Sequence, residues 1–255
     1  MPRTTTKGTR WAGYLLGFSL GGFFDGILLH QILQWHHLLS AINGTDMRFQ
    51  IAADGYFHAF MYVVAVAGLW MLWRSWRKGE AASGLLLAAA MLIGFGIWHI
   101  VDSVLSHWLL GIHRIRMDSA SPLMWDLVWF VAFGLVPLAL GLWMIPRSGR
   151  GRPAGRPAVA ASLAVCLTLG AGGQALRPSP DNSFTTVLFA PGTSAANALR
   201  AVSTVGGRLV WSDPSGGLLM IETEPAASTI SLYRHGAILV SGSGLPAGCF
   251  DYLRI

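Results

Sequence analysis

Long blocks of apolar residues alternate along the chain with short polar segments. Four such blocks lie within the first 146 residues, and a fifth follows a basic segment. A helix needs about 17 to 25 predominantly apolar residues to cross the hydrocarbon core of a bilayer, and each block meets that length. We therefore predict membrane-spanning helices at residues 11–39, 57–73, 83–110, 122–146 and 158–176.

Turn-forming residues mark the segments between these helices. Asn43 and Gly44 indicate a turn within the loop 40–56, and Pro122 is typical of the first turn of a helix. The linker 147–157 carries four arginines together with glycine and proline. This composition favours a mobile segment on the cytoplasmic side.

The segment after the fifth block has the composition of a soluble domain. Its patterns predict strands at 185–190, 207–211, 218–223 and 237–241, and helices at 194–203 and 226–233. The order βαββαβ is that of the ferredoxin-like fold. A domain of about 80 residues can form a small core, and needs no metal to do so.

We therefore expect a mainly α fold: a polytopic transmembrane helical bundle, with a four-helix core and a fifth span, and a C-terminal α+β ferredoxin-like extracytoplasmic domain. The predicted divisions are the core at 1–146, the basic linker at 147–157, the fifth helix at 158–176 and the outer domain at 177–255.

The composition supports a membrane protein. Hydrophobic residues make up 53% of the 255 residues and charged residues only 12%. The formal net charge of +6 does not indicate a nucleic-acid partner, because most Lys and Arg residues lie at the ends of apolar blocks. Cys166 and Cys249 are not expected to form a disulfide. The first block carries Asp and His and is too long for a signal peptide, so we expect it to be retained.

Basic residues also predict the orientation. Lys and Arg are more frequent in the first, third and fifth of the segments that flank the helices. The positive-inside rule then places the N-terminus in the cytoplasm and the C-terminal domain on the outer side.

The chemistry is concentrated in histidines on that outer side. Seven of the eight histidines lie between positions 30 and 113. A charged group near the centre of a bilayer costs about 2.5 to 3.5 kcal/mol, so such groups usually face a partner, a cavity or an ion. The candidate metal ligands are His30, His36, His37, His58, His99, His107, Asp25 and Asp102.

Helical spacing divides these candidates into faces and layers. At 100° per residue, His30 and His37 share one face of the first helix, whereas Asp25 and His36 share another about 100° away. His99 and His107 differ by about 12 Å in depth, so one ion cannot bind both. The deeper layer contains Asp25, His30, His99 and Asp102. The shallower layer contains His36 or His37, His58, His107 and Asp54.

Imidazole and carboxylate ligands suit copper, iron or zinc, and the lack of paired cysteines argues against a thiolate site. An outward, oxidising position favours copper. Asp25 and Asp102 are either ligands or acceptors that orient imidazole rings. Membrane histidines also form hydrogen bonds between helices. For His113 we prefer that interpretation.

Three strings carry a resemblance to a known family. They are FFDGILLHQILQWHH from Phe23 to His37, DGYFHAF from Asp54 to Phe60, and WHIVDSVLSHWLLGIHRIR from Trp98 to Arg116. They resemble an uncharacterised family of predicted four-span bacterial membrane proteins, over residues 11–146. The resemblance implies the four-helix core and singles out the same histidines, and it brings no established reaction. We expect the chain to lie in the bacterial inner membrane. In chemistry alone, the Asp and His residues are similar to the ligands of copper membrane monooxygenases.

These observations favour a copper-dependent membrane oxidase or monooxygenase that acts on oxygen and a small or lipid-soluble substrate. One alternative is a copper-handling or oxidase-assembly protein without catalysis. Another is a membrane cytochrome with haem bound by two histidines. Expected partners are the lipid bilayer and, through the C-terminal domain, a protein partner or a second copy of the chain.

Overall fold

A computed structural model describes residues 6–33, 35–42, 47–79, 83–148, 157–175, 184–223 and 229–240. Among these residues, five helices are long and apolar enough to cross a membrane, as predicted. The spans are Lys7–His30, Arg48–Arg77, Gly84–Leu109, Pro122–Ser148 and Ala158–Ala175. Asn43, Gly44, Cys249 and most of the linker lie outside the described residues.

Three of the spans change their winding along their length. The first is α1 (Lys7–Asp25) followed by a π-helical segment (Gly26–Ile32), and the third is α3 (Gly84–Val101) followed by a π-helical segment (Asp102–Leu109). The fourth is α4 (Pro122–Trp129), a π-helical segment (Phe130–Leu135) and α5 (Val136–Ser148). The second and fifth spans are the regular helices α2 (Met47–Arg77) and α6 (Pro157–Ala175).

Local signals set several helix ends. Ser83 caps α3, since its side chain accepts a 3.1 Å hydrogen bond from the backbone N–H of Leu86. Pro122 occupies the first turn of α4, as predicted. The prediction of a loop up to residue 56 is wrong, because α2 begins at Met47. The C-terminal domain packs against these added turns.

Close backbone contact between α1 and α3 brings the polar ends of both helices side by side. A Cβ on Gly17 would lie 1.9 Å from the carbonyl oxygen of Met91, and a Cβ on Gly94 would lie 2.1 Å from that of Tyr14. Only glycine permits this approach, and small residues serve the same purpose in many membrane bundles. The fifth span, α6, is tied to α2 by the hydroxyl of Tyr62, which donates to the carbonyl oxygen of Gly172 at 2.6 Å.

The C-terminal domain contains a four-stranded antiparallel sheet in the order β2-β3-β1-β4. Its elements are β1 (Thr185–Phe189), α7 (Ala195–Thr204), β2 (Arg208–Ser212), β3 (Leu218–Glu222), α8 (Ser231–Arg234) and β4 (Ala237–Val240). All four predicted strands are present. Of the second predicted helix, residues 226–228 lie outside the described part of the chain.

Both faces of this sheet are covered. Val187 and Phe189 point to a core shared with α7 and α8, whereas Leu188 and Leu218 point to the opposite face and pack near Ala52 of α2. The Arg48 guanidinium also donates to the hydroxyl of Ser215 at 2.7 Å. The domain therefore lies against the N-terminal end of α2, next to Asp54.

We expect the contact between α1 and α3 to contribute to the stability of the fold. Gly17→Ala should lower the free energy of unfolding by about 1 to 3 kcal/mol, because its new methyl group overlaps the backbone of α3. Gly170→Ala in α6 is the matched control, since its Cβ meets nothing within 4 Å and alanine favours a helix. Thermal unfolding in detergent measures both. Equal effects of the two substitutions would contradict the proposed contact.

Candidate metal centre

The outer end of the first span and the loop after it form a buried polar centre. Asp25, His30 and His36 are each at most 3% exposed. One ligand atom from each of these residues lies within 4.8 Å of the others. The structure therefore brings together three of the predicted ligands in a group that could hold an ion.

A second group shares His30 with the first and contains Asp54 of α2. The ring of His37 donates from Nδ1 to Asp54 Oδ2 at 2.8 Å, and the backbone N–H of Leu38 donates to Oδ1 at 2.9 Å. His30 Nδ1 lies 3.8 Å from the same carboxylate. Asp54 thus holds the loop after the first span against α2, and together with His30 and His37 it forms another set of candidate ligands.

A third group lies at the end of the third span. His107 Nε2 is 3.1 Å from Asp102 Oδ2, and His113 Nε2 is 3.6 Å from Asp102 Oδ1. His107 Nδ1 also lies 3.1 Å from Asp126 Oδ1. His107 therefore lies between two carboxylates, each within ion-pair distance of one ring nitrogen.

The hydrogen bonds of the rings determine which nitrogen is free to bind a metal. A carbonyl oxygen can only accept, so the Nδ1 atoms of His36 and His113 donate to Ile115 and Leu38, each at 2.9 Å. In these tautomers Nε2 has the lone pair, and both Nε2 atoms are buried without a hydrogen-bond partner. Metal-binding histidines usually show this arrangement.

The surroundings also keep His36 neutral. Burial lowers the pKa of His36 well below its ordinary value, and the neighbouring His113 lowers it further. A neutral imidazole is the form that binds a metal. Asp25 Oδ1 is likewise buried and has no hydrogen-bond partner. Buried acceptors without donors are costly, and a cation would satisfy them.

The π-helical winding brings these residues together. His30 follows Asp25 by five residues, and five residues of an α-helix rotate a side chain about 140° away from its starting face. In a π-helix the i→i+5 hydrogen bonds place residues five apart nearly above one another. The prediction that Asp25 and His30 occupy different faces is therefore wrong, because the winding changes at Gly26.

Two predicted ligands lie apart from these groups in the described part of the chain. The ring of His99 is surrounded by aromatic rings and lies 4.4 Å from Phe95 and 5.8 Å from Trp129, centre to centre. The ring of His58 is 6.5 Å from that of His30, and its Nδ1 donates to the carbonyl oxygen of Asp54. Metal binding by His99 and His58 stays a prediction.

Sequence reasoning missed Asp126 and gave His113 only a structural role. Asp126 is fully buried and accepts from the Arg114 guanidinium at 2.8 Å and from the backbone N–H of Ile115 at 3.0 Å. A carboxylate within the apolar fourth span was the available signal. His113 does bind another loop through Nδ1, as predicted, but its Nε2 joins the group of Asp102.

The buried pair formed by Asp126 and Arg114 can be compared with an exposed pair nearby. Asp126→Ala leaves the Ile115 N–H without an acceptor and should cost roughly 2 kcal/mol or more, although Arg114 reaches solvent. Asp118→Ala removes a surface pair with Arg116, and should leave the stability nearly unchanged because water screens this pair. Thermal unfolding of both variants in detergent tests this difference. A similar loss in both would show that Asp126 does not hold the loop.

Comparisons with known proteins agree with the membrane architecture. The family model described as "Predicted membrane protein (DUF2243)" matches residues 12–148, which is more than half of the chain and includes all three groups. No curated protein and no solved structure matches the chain. On the strength of the family match, the chain belongs to the DUF2243 family of predicted membrane proteins.

Proposed function

We propose that this chain is a membrane metalloprotein whose centre at Asp25, His30 and His36 binds a redox metal and supports an oxidase or monooxygenase reaction. One observation carries the proposal. The carboxylate and imidazole acceptors of this centre are buried without donors, and they converge within ligand distance of one another. A bound cation is the simplest way to offset the cost of burying them.

The ligand types limit the metal. Two imidazoles and one carboxylate form the ligand set of many non-haem iron oxygenases, and imidazole also suits copper. Within the described residues, Cys166 is exposed on α6, so no thiolate completes the set. We prefer copper because of the oxidising position proposed below. Ferrous iron is the second candidate, and zinc would leave the site without redox chemistry.

We further propose that the chain lies in the bacterial inner membrane with this centre in the outer half. Arg74 and Arg77 end α2, and Arg147 lies near the end of α5, each over a tryptophan ring as expected at an interface. These residues are at the helix ends opposite the histidines. The C-terminal domain contacts α2 at the histidine end, which supports a periplasmic location. Its element and strand orders support a ferredoxin-like fold.

The burial of the centre restricts its substrates. Oxygen is small and apolar and can reach the site through the bilayer, whereas a large polar substrate cannot. An oxidase would take the electrons for oxygen reduction from a lipid-soluble reductant, such as a quinol.

The two alternatives make different demands on the centre. A copper-handling protein must release its ion to a partner, so the buried ligand residues would first have to move apart. Haem between His30 and His36 is not favoured, because their rings lie 4.8 Å apart, closer than the roughly 6 Å that an iron between two imidazoles requires. Haem bound by histidines of different spans stays the third alternative.

His30 is the ligand to test, because it belongs to two of the three groups. We expect His30→Ala to lower the metal content by one ion per molecule and to reduce oxygen uptake with a quinol at least tenfold. The purified full-length protein in detergent is assayed by elemental analysis and with an oxygen electrode. His235→Ala, at an exposed histidine outside the membrane, is the matched control and should keep both properties.

Three other results would change or overturn this proposal. Full metal content in His30→Ala would overturn the proposed centre. A wild-type protein that binds copper tightly but consumes no oxygen would replace the oxidase with the copper-handling alternative. Bound zinc alone would remove the redox function.

A further inference from the structure

The ligands of the first and third groups repeat at a constant spacing. Each residue of the first group is followed, 77 residues later, by a residue of the same type. The pairs are Asp25 and Asp102, His30 and His107, and His36 and His113. Both groups therefore have the pattern Asp-x4-His-x5-His.

The backbone repeats in the same way. Both segments change from α to π winding beside the repeated Asp residue, and both end with corresponding hydrogen bonds. In the first pair, Leu33 N donates to Leu28 O at 2.8 Å, and Leu110 N donates to Leu105 O at 2.9 Å. In the second pair, Trp35 N donates to Leu29 O and Ile112 N donates to Ser106 O, both at 2.9 Å. Every atom in one bond of a pair is 77 residues from its counterpart. The shared winding aligns each Asp with its His five residues later.

The two loops that follow are joined by reciprocal contacts. His36 donates to the carbonyl oxygen of Ile115, which lies two residues after His113. His113 in turn donates to that of Leu38, which lies two residues after His36. The two imidazole rings stack with their centres 4.6 Å apart and an angle of 11° between their planes. The two ligand groups are thus in direct contact through equivalent residues.

The neighbouring helices supply equivalent anchors. Asp54 of α2 accepts from the backbone N–H of Leu38, and Asp126 of α4 accepts from that of Ile115, through Oδ1 in both cases. The pair α1 and α2 therefore corresponds to the pair α3 and α4. Internal repeats of this kind place binding sites at the interface between the two halves of many membrane proteins.

We infer that the bundle is an internal duplication with two metal sites, and that Asp102, His107 and His113 form the second site. The inference rests on the proposed function of the first site. The second site has its own buried acceptor without a hydrogen-bond partner, at His113 Nε2, and Asp102 lies within ion-pair distance of both imidazoles. Its ligand class is the same, a divalent or monovalent first-row transition metal. The stacked rings of His36 and His113 place the two sites next to each other.

The two sites differ in their nearby charge. At the first site, Asp54 contacts the imidazole of His37, whereas at the second site Asp126 contacts the permanent cation of Arg114.

Metal stoichiometry tests the inference. Full-length protein in detergent is loaded separately with copper(I) and with iron(II), and the bound metal is measured after desalting. The wild type should hold two ions per molecule with one of these metals, and Asp102→Asn should hold one. His113→Ala should also hold one. Asp102→Asn keeps the shape of the side chain, so it serves as the second variant if His113→Ala fails to fold, and thermal unfolding checks both. His235→Ala should hold two ions.

The outcomes separate this inference from the proposed function. One ion in the wild type, unchanged in Asp102→Asn and lost in His30→Ala, would overturn the second site and leave the first intact. No bound metal in any variant would overturn both. A loss of both ions in a folded Asp102→Asn variant would overturn the two separate sites, because both ions would then depend on Asp102.

Discussion

The change from α to π winding near the ends of the first and third spans is the constraint on which the centre depends. In each span it aligns an aspartate with the histidine five residues later, Asp25 with His30 and Asp102 with His107. π-Helical hydrogen bonding is rare, and in proteins it is often found at functional sites. A regular α-helix would turn one member of each pair toward lipid or another helix. The unusual backbone therefore determines the chemistry of the site.

This winding concentrates polar groups where water is scarce. Asp25, His36 and His113 are buried and have acceptor atoms without hydrogen-bond partners. Unpaired polar groups are costly to bury, so this cost must be offset by other interactions. Carbonyl oxygens fix the rings of His36 and His113, and Asp54 and Asp126 hold the loops that carry them. The surrounding protein keeps the ligand atoms close together, which favours a bound cation.

The remainder of the fold supports this arrangement. Gly17 and Gly94 let α1 and α3 approach until a side chain on either glycine would overlap the other backbone. This contact places the two π-helical segments side by side. The C-terminal sheet covers the start of α2 through Leu239, which lies against Gly55, the residue after Asp54. Packing far from the ligands thus holds both halves of the centre in position.

The sequence by itself determined the membrane architecture and the residue types of the centre. Apolar block lengths predicted five spans, and the alternating patterns after residue 185 predicted the strands, because burial and hydrogen bonding act on each segment separately. The cost of placing Asp and His in apolar blocks identified six of the residues in the three groups. The sequence also contains the repeat Asp-x4-His-x5-His. Its residues do not share one face if both segments are assumed to be regular α-helices.

Only the tertiary structure decided which of these residues meet. Asp25 and His30 converge because of a local change in winding, which the 3.6-residue period cannot predict. Asp126 enters the centre from a helix whose sequence gives no partner for it, and His113 is placed by a carbonyl oxygen 75 residues away. Such contacts depend on how separate helices pack, and local sequence patterns do not specify that packing. The physical reason is that local propensities act over a few residues, whereas a metal site is assembled from elements far apart in the chain.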